Sequence, residues 1–144
     1  MRRRPRSEDG SALVEVVWLG ILLLVPLLWI VLSVFEVQRG AFAVTSAARS
    51  AARAYALAET DAAGREQARA AIRQALADQG GDDRDFRFTV SCRGPCRDAG
   101  SVITVRVWHG VDLPLLPAVL GGDAPSFRLD STHTVPIGRF RDTR

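Results

Sequence analysis

The chain has 144 residues, nineteen basic and sixteen acidic, with a net charge of +3. All of the basic residues are arginines, they are scattered, and no stretch combines a basic stripe with stacking aromatic side chains, which argues against a nucleic-acid partner. Once the apolar segment described next is subtracted, about a hundred residues remain, which is enough for one small domain.

A long apolar segment begins near the N-terminus. No charged residue occurs from Val16 to Val34, and at 1.5 Å per residue a helix of this length covers about 30 Å, the thickness of a bilayer core. Ala41-Phe42-Ala43 resembles a signal-peptide cleavage site, but the core of a secretory signal is only roughly 7–15 residues long. The segment is therefore predicted to be a retained single-pass membrane anchor.

The arginines before this segment predict its orientation. Arg2, Arg3, Arg4 and Arg6 precede it, and an excess of basic residues marks the cytoplasmic side of a membrane helix. Residues 1–10 are then a disordered cytoplasmic leader, and residues 59–144 form a head outside the cytoplasm. We expect the protein in the cytoplasmic (inner) membrane.

Glu15 lies where the apolar segment begins. An ionised side chain so close to lipid is costly unless it is paired or near the interface, which makes it a functional candidate. The alternative is that Glu15 lies among the headgroups and interacts favourably with the positive end of the helix dipole. Both interpretations remain open at this point.

Two helices are predicted. The first covers residues 11–58 and continues beyond the membrane as an amphipathic helix, whose apolar positions step by three and four: Val37, Ala41, Val44, Ala48, Ala51 and Tyr55. The second runs from Asp61 to about Gln79, with Thr60 or Asp61 as its cap and Gly80-Gly81 at its end.

Three strands follow, at residues 86–92, 102–109 and 127–135. Apolar and polar residues alternate in the first, and Ile103, Val105 and Val107 share one face of the second. The apolar but Pro- and Gly-rich residues 113–122 are predicted to be a loop packed on the domain, or alternatively a contact patch for another subunit or the membrane. The predicted fold class is α+β, a single transmembrane N-terminal helix with a small head of one further helix and about three antiparallel strands.

Cys92 and Cys96 are the two cysteines of the chain. Outside the cytoplasm such a pair tends to oxidise, so we expect a disulfide that pins the tip of a hairpin. A zinc site would need His109 and His133 as additional ligands, and their spacing is irregular. The disulfide is the favoured interpretation, and no metal or other cofactor is predicted.

No catalytic arrangement is evident in the sequence. A Ser or Cys nucleophile in a recognisable turn with a base is absent, as is a phosphate-binding loop. His109 and His133 fall within predicted strands, and Asp82, Asp83 and Asp85 fit a solvated turn better than a calcium loop. We expect the protein not to be an enzyme.

The N-terminal residues Gly10-Ser11-Ala12-Leu13-Val14-Glu15, after a cationic leader and before a long apolar helix, resemble a class III (type IV-like) prepilin signal. The resemblance implies that a membrane prepilin peptidase cuts between Gly10 and Ser11 on the cytoplasmic side. It also implies a role in assembly for Glu15, which would neutralise the new amine of Ser11 in a neighbouring subunit.

With Phe35-Glu36-x-x-Arg39 and the Ala- and Arg-rich residues 47–54 added, about the first 58 residues look like TadE-like pilus-assembly proteins, the minor pseudopilins of the Tad/Flp pilus. Val16 stands where that family usually has an aromatic residue. The resemblance implies a structural subunit whose partners are prepilin peptidase, other pilin or pseudopilin subunits and Tad inner-membrane assembly proteins. An unprocessed, signal-anchored extracytoplasmic binding module is the alternative.

Overall fold

A computed structural model describes residues 9–96, 98–112 and 126–138. In these residues two helices precede a three-stranded antiparallel sheet, which confirms the predicted α+β class. The elements are α1 (Asp9–Leu57), α2 (Asp61–Asp78), β1 (Phe86–Arg93), β2 (Val102–Asp112) and β3 (Ser126–Pro136).

Helix α1 is continuous for 49 residues and passes through Pro26. It begins at Asp9, two residues before the predicted start, so Asp9 and Gly10 of the predicted leader are helical. Its side chains are exposed from Ala12 to Leu28, whereas its buried residues begin at Gly40, where it packs against the head formed by α2, β2 and β3. One helix therefore has two different environments along its length.

The buried side of α1 is built largely from alanine. Val44, Ala48, Ala51 and Tyr55 are buried as predicted, whereas Ala41 is exposed. The sheet packs along α1: Gly40 meets Val111 and Leu129 at the base of the head, and the last turn of α1 lines a cavity with the end of β3. The buried arc therefore shifts around the helix, and a straight stripe of apolar positions misplaces Ala41.

Helix α2 runs back along α1 and is closely packed against it. Thr60 caps it as predicted, because the Thr60 hydroxyl accepts a hydrogen bond from the Ala63 N–H at 3.2 Å. Gly80, with φ of 69°, ends it, and the Gly81 N–H returns to the Leu76 carbonyl at 3.0 Å. Gly64 lies against the ring of Tyr55, where an added Cβ would come within 2.9 Å of a ring carbon.

The sheet is a meander with the order β1-β2-β3. Ile103, Val105 and Val107 are buried on its core face, as the alternation predicted, and the predicted hairpin is confirmed by the pairing of Arg93 with Val102. Each strand extends one to three residues past its predicted ends, where Gly110 and Asp112 give no alternation signal. The predicted loop at residues 113–122 lies outside the described residues.

Gly40 offers a test of the close approach between α1 and the sheet. A Cβ at this position would overlap Val111 and come within 2.9 Å of Leu129 Cδ1, whereas a Cβ at Gly20, in the same helix, would meet nothing within 4 Å. We expect Gly40→Val to destabilise the head by about 1–3 kcal/mol through overpacking. Thermal unfolding of the full chain in detergent measures this, with Gly20→Val as the matched control, and equal unfolding midpoints for the two variants would contradict it.

Candidate functional site

The first half of α1 is an exposed apolar surface. In the described part of the chain, all but three of the exposed large hydrophobic side chains lie between Leu13 and Phe35, the exceptions being Phe42, Leu57 and Phe127. An 18-residue window of this helix has a mean hydropathy of 2.7 and is not buried within the chain. By length and composition α1 is able to cross a membrane, and among the described residues it is the one helix of this kind.

The extent of this surface requires something to cover it. Leaving one Val, Leu or Ile side chain in water instead of burying it costs about 1.5–3 kcal/mol. The exposed side chains run around the whole circumference of the helix from Leu13, at 70%, to Phe35, at 63%. A few of them already equal the ~5–15 kcal/mol net stability of a typical domain, so this half of α1 is suited to apolar surroundings rather than to water.

Hydrogen bonding within this half of α1 also suits an apolar environment. The Ser33 hydroxyl donates to the Trp29 carbonyl at 2.8 Å, so its polar group is satisfied by its own helix. Beyond the apolar half, Arg39 Nη2 lies 2.7 Å from Glu36 Oε2 in an ion pair between exposed side chains. The first charged residues after the apolar half are thus paired, at the base of the head.

Gly10, Ser11 and Glu15 lie in the first two turns of α1. Ser11 and Glu15 are four residues apart, which places them on the same side of the helix with about 6 Å of axial separation. Glu15 is exposed, and within the part of the chain that the structure describes no hydrogen bond or ion pair involves it. The described residues thus hold no partner for its carboxylate.

The two cysteines are joined at the other end of the head. Cys92 Sγ and Cys96 Sγ form a disulfide across five residues, at the turn between β1 and β2. That turn is tied to the end of β3, because the Gly100 N–H donates to the Ile137 carbonyl and the Ile137 N–H to the Ser101 carbonyl. The disulfide is thus far from Glu15 and lies at the tip of the hairpin.

The two histidines occupy different environments in the sheet. His109 is 3% exposed, and its Nδ1 lies 2.9 Å from the Asp85 carbonyl oxygen. His133 is half-buried opposite Val105. Among the described residues no group of three His, Cys, Asp or Glu side chains is arranged to hold a metal ion.

The head carries a cleft that was not predicted from the sequence. Its lining comes from α2, from the turn before β1, and from all three strands: Arg69, Arg73, Arg84, Phe86, Arg87, Phe88, Thr89, Trp108 and Arg128. The four-residue spacing of Arg69 and Arg73 places them on one side of α2, which was readable in the sequence. The sequence did not indicate that Arg128 and Trp108 line the same cleft, because these residues lie far apart along the chain.

No family model matches the sequence, and comparisons with curated proteins and with solved structures return no significant match.

The disulfide yields a prediction about local and global stability. It closes a loop of five residues, for which loop-closure entropy gives about 2 kcal/mol. We expect the Cys92→Ser/Cys96→Ser variant to lose about this much stability and to exchange amide hydrogens faster at the hairpin tip. Hydrogen exchange in the buried segment of α2 serves as the internal reference, and a tip that stays as protected as in the oxidised protein would contradict the pinning role.

Proposed function

We propose that this protein is a membrane-anchored, pseudopilin-like structural component of a Tad/Flp pilus or a related secretion apparatus. The observation that carries the proposal is the continuity of α1, whose exposed apolar half extends directly into the alanine-lined half that packs on the head. In the proposed arrangement the N-terminus is cytoplasmic and the head lies outside the inner membrane. The protein itself catalyses no reaction.

The apolar half of α1 suits two successive environments. A helix that is hydrophobic all round is stable in lipid and equally stable among other apolar helices. A subunit of a filament must leave the membrane and pack against other subunits, and this surface provides for both. The rigid connection through Gly40 would carry the head along with the helix.

Cleavage after Gly10 is the proposed maturation step. Gly10 is in the first turn of α1, so a peptidase would need to unwind that turn before it could bind the backbone in an extended form. This costs little, because the first four N–H groups of a helix have no partner within it and glycine is a poor helix former.

Glu15 has a proposed role in assembly after that cleavage. The new amine of Ser11 would carry a positive charge at the start of an apolar helix, where an unpaired charge is costly. Its own Glu15 and the Glu15 of a neighbouring subunit are both candidate partners by position. Pairing with the neighbour would set the axial register between subunits and would remove two uncompensated charges from the apolar surroundings.

A signal-anchored binding module is the second candidate, and the arginine-lined cleft of the head favours it. In that case the anchor keeps its leader and α1 serves only to hold the head at the membrane. The two functions differ in what happens to the first ten residues and in their dependence on Glu15.

Replacement of Gly10 tests the maturation step. We expect the wild-type protein in its native membrane to begin at Ser11, and Gly10→Trp to retain residues 1–10, because a bulky side chain hinders entry of the backbone into the peptidase. The intact mass of the membrane-extracted protein measures this, with cells lacking prepilin peptidase activity as the control. Retention of residues 1–10 by the wild-type protein in the presence of an active peptidase would refute the processing.

Replacement of Glu15 tests the assembly step. Loss of one partner from a charge pair in apolar surroundings costs about 3–5 kcal/mol, so we expect Glu15→Gln to reduce the assembled, sheared-off fraction at least tenfold while the membrane-bound amount stays constant. Glu36→Gln is the matched control, since it removes a carboxylate from an exposed ion pair on the same helix. Normal assembly of Glu15→Gln would contradict the assembly role of Glu15.

A further inference from the structure

The outer edge of β1 is open to another chain. β1 pairs on one side with β2, and the described residues place no strand on its other side. In an antiparallel sheet the N–H and C=O groups of an edge strand that point away from its neighbour have no ladder partner. Such an edge is a template to which an extended peptide can add as a further strand.

A cleft of about 700 Å³ follows this edge. Four consecutive residues of β1, Phe86 to Thr89, line it. Because successive side chains of a strand point to opposite faces of the sheet, a cleft that touches all four reaches around the edge of β1, and Trp108 and Arg128 extend it over the outer face. Arg69 and Arg73 of α2 form the opposite wall, and the volume is within the ~300–1,000 Å³ typical of ligand clefts.

The cleft is strongly basic. Five of its nine lining residues are arginines and none is acidic. The ion pairs formed among the described residues involve other arginines, Arg39 and Arg106. Three aspartates line an adjoining cleft together with Arg87 and Arg128, so the excess of positive charge is greatest on the side of α2, at Arg69 and Arg73.

An aromatic ring supports one of the arginines of the cleft. The guanidinium of Arg69 lies 5.7 Å from the centre of the Phe88 ring, which is within the reach of cation–π attraction. The contact with Phe88 holds Arg69 over the core face of β1, beside the open edge.

Protection against aggregation explains only part of this arrangement. Charged side chains on an edge strand discourage the pairing of identical sheets, and Arg87 and Arg93 of β1 are placed to do so. That purpose does not require arginines from α2 and from the turn before β1 to flank the same edge. Their convergence is charge complementarity for an acidic ligand.

We propose that this groove binds an extended, acidic peptide segment of a partner protein, which adds to β1 as a fourth strand. Its backbone pairs with the open edge of β1, and the acidic side chains on its core-face side meet Arg69 and Arg73. A second copy of β1 is a poor occupant, because antiparallel self-pairing brings the arginines of both strands together. The groove does not depend on cleavage after Gly10 or on pilus assembly.

Peptide binding to the full chain in non-ionic detergent tests the proposal. The probe is a fluorescein-labelled octapeptide of alternating Glu and Val, followed by fluorescence anisotropy. One comparison peptide replaces Glu with Lys, and a second keeps Glu but carries N-methylated backbone amides. We expect the Glu peptide to bind, the Lys peptide not to bind, and N-methylation to weaken binding at least tenfold because it removes the donors needed for strand addition.

Paired variants locate the binding surface. Arg69→Gln/Arg73→Gln removes two exposed arginines four residues apart on α2, and Arg49→Gln/Arg53→Gln removes two with the same spacing from an exposed side of α1. Since an exposed ion pair contributes about 0.2–1 kcal/mol, we expect the first variant, which removes two such pairs, to bind about twofold to thirtyfold more weakly and the second to bind like the wild type. The melting midpoint of each variant checks that the head remains folded.

Three results would overturn the proposal. Undiminished binding of the N-methylated peptide would show electrostatic attraction without strand addition. Equal losses in the two paired variants would show attraction to the whole basic protein rather than to the groove. Displacement of the peptide by a single-stranded oligonucleotide that binds more tightly would assign the groove to nucleic acid instead.

Discussion

The close contact between the small residues of α1 and the two layers of the head is the constraint on which the rest of the structure depends. Alanines along the second half of α1 and a glycine at Gly40 let α2 and the sheet approach the helix backbone. Because α1 is unbroken, this contact also determines the direction in which its apolar half leaves the head. Larger side chains on this side would separate the head from the helix and weaken that rigid connection.

The change of environment along α1 explains why one helix combines two residue patterns. From Leu13 to Phe35 the side chains are apolar on every side, which suits lipid or a bundle of similar helices. After the Glu36–Arg39 ion pair, burial is restricted to the side that faces the head. The proposed pseudopilin-like role uses both halves, one for the membrane and the assembly and the other for presenting the head.

The head contributes surfaces that the helix does not. The groove along β1 combines an open strand edge with arginines from α2 and from the strands. It lies on the head, whereas Glu15 lies near the start of α1, so the two surfaces can act independently. A subunit with this arrangement could hold a partner protein at the head while its helix remains in the membrane or in an assembly.

Elements that depend on neighbours in sequence were predicted closely. The cap at Thr60, the end of α2 near Gly80 and the alternation in β1 and β2 are local, since helix ends and strand faces follow from residues a few positions apart. The same holds for the Cys92–Cys96 disulfide, which closes a loop of five residues. The start of α1 was placed two residues late because the polar residues Asp9 and Gly10 carry no apolar signal, although they continue the helix.

The amino-acid sequence by itself determined that the chain carries one long apolar helix, a second capped helix and alternating strands. Hydrophobic periodicity and helix caps depend on residues that are close together in the sequence. Only the tertiary structure decided which side of α1 is buried and which strand edge stays open. The reason for a residue without a side chain at Gly40 likewise follows only from the tertiary structure. It also brought Arg69, Arg128 and Trp108 together from distant parts of the chain. These features depend on how α1, α2 and the sheet pack against one another. Packing between distant segments leaves no local pattern in the sequence.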